Sequence, residues 1–116
     1  MSQHKIWKQH PEYPNYAGSP DGQIKNIETG QILKPYRNNT DNDRGYLKVK
    51  LKDRFGIWHP VYVHRFIFEV FYGNIPYKHD IHHINHDVAD NSLNNLQCML
   101  RLDHLQLHAA QRQDNS

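Results

Sequence analysis

At 116 residues the chain has room for one domain, with a second core only if it is very small. Apolar residues make up 37% and charged residues 22%, so a thin core and much polar surface are expected, and the net charge of +2 is compatible with a nucleic-acid partner without arguing for one. A single cysteine, Cys98, excludes an intrachain disulfide framework or a cysteine-rich zinc cluster.

Other broad features narrow the class. No run of eighteen apolar residues occurs, so no membrane span is expected. Met1 to Lys5 are not followed by an apolar run, and the lone cysteine suits a reducing cytoplasm. Ten histidines are spread from His4 to His108, too widely for one site to use most of them.

Residues 7–20 read as irregular and turn-rich, because Pro11, Pro14 and Pro20 interrupt any helix while Trp7, Tyr13 and Tyr16 offer anchors. Gln23 to Ile27 alternates apolar with polar, Glu28-Thr29-Gly30 turns, and Gln31 to Lys34 returns, which predicts a hairpin. Residues 37–45 have almost no apolar content and read as a loop. A second hairpin follows. In Tyr46 to Lys52, Leu47, Val49 and Leu51 share one face and Lys48, Lys50 and Lys52 the other. Asp53 to Gly56 makes the turn and Ile57 to Tyr62 the returning strand.

Val63, Phe66, Ile67, Val70 and Phe71 then fall at helical spacing, so a helix is predicted from 63 to 72, ended by Gly73. Short strands are predicted near Ile81 to Ile84 and Leu96 to Met99, with a polar loop from Asn85 to Asn91. A closing helix is expected over 102–112, with Asp103 in its first turn, where a carboxylate suits the dipole. The whole reads as α+β: N-terminal antiparallel hairpins, a middle helix, and a C-terminal strand–loop–strand–helix unit.

That last unit carries the chemistry. His82 and His83 are adjacent, Asn95 follows the loop, and His104 and His108 lie four apart on one face of the closing helix. Each alone is more often structural. Together, imidazole and carboxamide groups at this spacing are what is needed to hold a divalent metal and take a proton from water. Neighbours on a strand point to opposite faces, so His82 and His83 divide the work: one reaches the metal and the other the scissile phosphate. His104 or His108 completes the metal shell. Asn95 is placed to bond across the loop and fix the base or its backbone. Phosphodiester hydrolysis needs this combination of activated water and charge stabilisation.

Residues 63–108 resemble the HNH endonucleases of the ββα-metal superfamily, particularly the free-standing and intron-encoded enzymes of phages. The resemblance rests on Val63-His64-Arg65-Phe66, His82-His83-Ile84, Asn91, Asn95-Leu96 and Asp103-His104. It implies that the last third forms the ββα-metal core, that His83 is the general base and Asn95 its support, and that His82 and His104 are metal ligands. His108 falls at a position of variable role. Residues 6–52 resemble a small module found ahead of such nucleases in phage proteins, through Trp7-Lys8, Tyr16 to Gly22 and Gly45-Tyr46-Leu47. In that family the segment is taken to contact DNA.

The resemblance divides the chain into a β-rich DNA-contact region, 1–52, and an HNH nuclease core with its preceding strand and helix, 53–116. It implies a metal-dependent DNA endonuclease, in the cytoplasm of a bacterial host if phage-encoded, with no membrane partner and with monomer and homodimer both open. Magnesium or manganese would draw oxygens from phosphate and water, whereas imidazole ligands also suit zinc or nickel. Lys48, Lys50 and Lys52 are the candidate phosphate contacts, extended by Arg37 and Arg44.

There are departures from the family pattern. A loop that often reads Asp-Gly-Asp-Lys is here Asn85-His86-Asp87-Val88, and Leu102 stands where a Ser or Pro usually caps the last helix. Paired zinc-binding cysteines are absent, and the C-terminal DNA-reading module of the longer homing enzymes is not expected. Two rivals remain: a DNA-binding protein with an inactive HNH-like site, and a histidine-rich metal-binding scaffold.

Overall fold

The computed structural model describes residues 6–37 and 44–103. Among these residues three small antiparallel sheets pack around a ten-residue helix. The first has the order β1 (Lys8–Gln9), β2 (Tyr16–Gly18), β3 (Ile24–Asn26); the second pairs β4 (Lys48–Lys52) with β5 (Trp58–Tyr62); the third pairs β6 (His79–His83) with β7 (Leu96–Leu100). The helix, α1 (Val63–Tyr72), follows β5 without a break.

The period-two and period-3.6 predictions hold. Val49 and Leu51 of β4 are buried while Lys50 and Lys52 are exposed. On α1 the stripe Val63, Phe66, Ile67 and Val70 is buried, and Phe71 packs against its edge. Gly73 closes the helix with φ 95°, donating its N–H to the Glu69 carbonyl at 2.9 Å. Tyr62 gives no side-chain cap; instead the Val63 N–H donates to Leu47 O at 3.0 Å, tying the start of the helix to β4.

The N-terminal reading needs correction. Residues 7–20 are not wholly irregular, since β1 and β2 lie there. Tyr16, Ala17 and Gly18 are all buried, so β2 carries no alternation by which to recognise it. β3 pairs along its length with β2, and the expected return limb at 31–34 touches it only through a bridge between Lys25 and Ile32. Two main-chain bonds support that bridge: Asn26 N–H to Gln31 O at 2.9 Å and Leu33 N–H to Ile24 O at 2.8 Å. β6 starts at His79, two residues before the predicted strand. Residues 101–103 are helical, and most of the expected closing helix lies outside the described residues, as does most of the polar loop at 37–45.

One cluster forms the core. Tyr16, Ile24, Val49 and Leu51 meet Val63, Phe66, Ile67 and Val70 of α1, with Ile81 and Leu96 from the third sheet. The line between residues 52 and 53 runs through the turn of the β4–β5 hairpin, and both sides contribute to this core. No helix among the described residues is long and apolar enough to cross a membrane.

Candidate active site

His82 and His83 end β6, paired with Gln97 and Leu96 of β7. Both are buried. As adjacent strand residues they point to opposite faces, and their surroundings differ accordingly. The His82 ring lies 5.2 Å from that of His86, at 71°. The His83 ring lies 5.0 Å from His64 and stacks on Tyr46 at 5.8 Å and 19°. Tyr46 in turn meets His64 at 4.9 Å and Tyr62 at 5.8 Å, so four rings from β5, α1, β6 and the residue leading into β4 form one cluster.

The His83 Nε2 is 2.8 Å from Asn91 Oδ1, with both residues buried. The carboxamide oxygen accepts, so Nε2 carries the hydrogen and Nδ1 keeps its lone pair. Asn91 is one of the residues that carry the resemblance, but nothing in its spacing points to this contact with His83. Asn95 does something different. Its Nδ2 donates to Asn85 Oδ1 at 2.9 Å and to Asp90 O at 2.8 Å, and its Oδ1 accepts from the Asn85 N–H at 3.0 Å. Its main-chain carbonyl accepts from Ile84 N–H at 2.8 Å. Asn95 therefore braces the loop that follows His83 and fixes the backbone beside the ring.

That loop is closed on itself. Asn85 Nδ2 donates to Asp90 Oδ2 at 3.0 Å, and Asp87 Oδ1 accepts from Ala89 N–H at 3.0 Å. Bonds from Ser92 hold the Asp90 carboxyl below its ordinary range, helped by Asn85. His86 takes φ 66°, the left-handed region in which glycine is at ease.

His64 faces the site from the first turn of α1. Burial, then the charges of His83 and Arg65, push its pKa down to about 3 from 6.5. The folded state thus holds fewer protons than the unfolded one between those values. The stability that neutral His64 contributes is complete above pH 6.5 and is lost as pH falls below it, by about 1.4 kcal/mol per unit. Replacing His64 with Gln is expected to remove about 2 kcal/mol of the destabilisation that this shift predicts between pH 7 and pH 5. Denaturant midpoints across that range check this, and parallel pH profiles for the two proteins would contradict it.

His82, His83 and Asn95 are thus gathered around one strand end. His104 and His108 lie outside the described residues. Among the described residues no group of three His, Cys, Asp or Glu side chains forms a metal cluster. Three of the candidate DNA contacts sit on the second sheet. Lys48, Lys50 and Lys52 pair across the strands with Tyr62, Pro60 and Trp58, so lysines and aromatics share a face. Lys48 Nζ lies 4.9 Å from the Tyr62 ring centroid and Lys52 Nζ 5.8 Å from that of Trp58. Since Tyr62 also touches His64 at 5.4 Å, this face leads to the ring cluster around His83. Arg37 and Arg44 are exposed.

Two segments of the chain are similar to known families, and its fold to that of a solved structure. A family model described as HNH endonuclease matches residues 61–107, and one described as NUMOD4 motif matches residues 6–52. No curated protein matches the chain. A solved structure described as "DNA binding and cleavage by the HNH homing endonuclease I-HmuI" superposes with a TM-score of 0.78 at 20% identity, over 91% of this chain. The chain spans 59% of the length of that protein, with which it shares its fold. Residues 61–107 belong to the HNH endonuclease family, and a NUMOD4 motif precedes them in the chain.

Proposed function

We propose that the chain is a divalent-metal-dependent DNA endonuclease in which His83 accepts the proton of the attacking water. The observation that carries this is the buried bond from His83 Nε2 to Asn91 Oδ1 at 2.8 Å. It fixes the tautomer and leaves Nδ1 as the basic atom. An imidazole held through one nitrogen, with the other bearing a lone pair, is suited to act as a general base. Water attacks phosphorus, its proton passes to Nδ1, and the bond from phosphorus to the leaving oxygen breaks. Asn95 keeps the loop behind the base in place. The family match and the DNA-cleaving protein of the same fold support this reading.

The metal would be held by His82 and His104. A buried imidazole beside His86, one position from the base, suits a cation that takes few protein ligands and fills its shell with phosphate and water oxygens. Such an ion, magnesium or manganese in first place and zinc or nickel as alternatives, supplies charge stabilisation at the phosphate and leaving oxygen. Supercoiled plasmid incubated with each of these metals tests the proposal. Nicked or linear product that disappears with chelator is expected, and intact plasmid under every metal would refute it.

Lys48, Lys50 and Lys52, with Arg37 and Arg44, are proposed to hold the DNA backbone along the face that ends at Tyr62. Changing the three lysines to Gln is expected to flatten the dependence of log affinity on log salt by about 0.9 for each phosphate no longer neutralised. A salt slope equal to that of the unmodified protein would remove the lysines from the interface.

A further inference from the structure

Tyr16, Ser19 and Gly22 belong to the segment for which the resemblance implies DNA contact, yet they face protein. Tyr16 is 4% exposed and Ser19 fully buried. Residues 19–23 form a tight turn: Ser19 N–H donates to Gln23 O at 2.9 Å, Gly22 N–H to Ser19 O at 3.0 Å, and Gln23 N–H to Ser19 Oγ at 3.2 Å. The Ser19 hydroxyl also bonds the Asp21 carboxylate.

This turn presses on the loop beside His83 at two points. Pro20 O accepts from the Leu93 N–H at 2.7 Å. Gly22, at φ 90°, lies so close to Asn91 that a Cβ on it would sit 2.7 Å from both the carbonyl carbon and the oxygen of Asn91. Asn91 is the residue whose Oδ1 holds the His83 ring. A main-chain contact from the N-terminal motif is therefore one residue removed from the imidazole.

We propose that the Ser19–Gly22 turn is a positioning element for His83: it fixes the main chain at Asn91, and the Asn91 carboxamide fixes the ring. The catalytic half of its test rests on His83 being the base. A methyl group at position 22 forces the Asn91 backbone to retreat by about 0.7 Å, from 2.7 Å to the 3.4 Å of ordinary contact. Misplacement on that scale is enough to disturb a catalytic group.

The test compares Gly22→Ala with Gly30→Ala in the full chain. Gly30 has φ 74° and open space around it, so its replacement carries the same left-handed strain without the clash. Single-turnover cleavage is expected to fall at least about tenfold in Gly22→Ala, with DNA affinity unchanged, and to stay at the unmodified rate in Gly30→Ala. The nitrogen-15 and proton signals of the His83 Nε2–H should shift or broaden in Gly22→Ala only. The double variant Gly22→Ala/Asn91→Ala should be no slower than Asn91→Ala alone, because both act through one contact. Identical His83 signals in the two glycine variants, or losses that multiply in the double variant, would overturn the proposal. If Gly22→Ala does not fold, Ser19→Ala decides. It loosens the turn without a clash, and an unmoved His83 signal there ends the idea. The resonance comparison needs no nuclease activity, so failure of the proposed function and failure of this coupling are read separately.

Discussion

Replacing His83 with Ala is expected to lower the single-turnover rate of the proposed DNA cleavage by about 10²- to 10⁴-fold while leaving DNA affinity unchanged. That range is what a positioned proton acceptor contributes in a transition state. A loss confined to the chemical step is expected because the proposed phosphate contacts, Lys48, Lys50 and Lys52, lie on another sheet. His83 is buried and touches Tyr46 and His64, so truncation also leaves a gap in the ring cluster. His83→Gln keeps most of that volume and should show the same catalytic loss, which separates chemistry from packing. Cleavage by either variant at the rate of the unmodified protein would mean that another group activates water, or that the cleavage comes from a contaminant and the HNH-like site is inactive.

Phe66→Ala is expected to cost about 3–5 kcal/mol of folding free energy. Against the 5–15 kcal/mol typical of a whole domain, that is a large share. Phe66 is fully buried, stacks on His10 at 4.7 Å, and approaches Tyr13 at 6.4 Å. It thus joins the segment after β1 to α1. His10 adds a polar tie nearby, with Nε2 3.4 Å from Glu69 Oε1. The loss should therefore be felt both in the N-terminal segment and in the β4–β5 hairpin that leads into α1. The two tryptophans, Trp7 and Trp58, can report separately when the other is changed to Phe. Their unfolding transitions should coincide and move together in Phe66→Ala. A Trp7 signal that keeps its midpoint while Trp58 melts early would mean two independent cores.

The legibility of this fold in its sequence varies with element length and burial. β4 and α1 are legible because each is long enough to show a period and buries one side only. Lys48 to Lys52 alternates in sequence as it does in exposure. β1 and β2 have two and three residues, and β2 is buried throughout, so they carry no pattern; main-chain pairing alone defines them. The site divides in the same way. His82, His83 and Asn95 stand out because their spacing frames a polar loop. Asn91 and Asn95 are both asparagines near the end of that loop, and which one reaches the ring depends on how Asn85, Asp87 and Asp90 fold it. The His64–Tyr46–His83 contacts join three separate elements, and no local period encodes them.

The β4–β5 hairpin has a consequence for how such chains can be recombined. It bridges the end of one matched segment and the start of the next, with Lys52 opposite Trp58 and Lys48 opposite Tyr62. A chimaera that took its first half from this chain and its second from a relative would have to re-form that ladder with a foreign strand. It would also have to seat a foreign helix against Tyr16, Ile24, Val49 and Leu51. Grafts that carry β1 through α1, residues 8–72, as one block should keep their solubility, whereas splices inside the hairpin should aggregate.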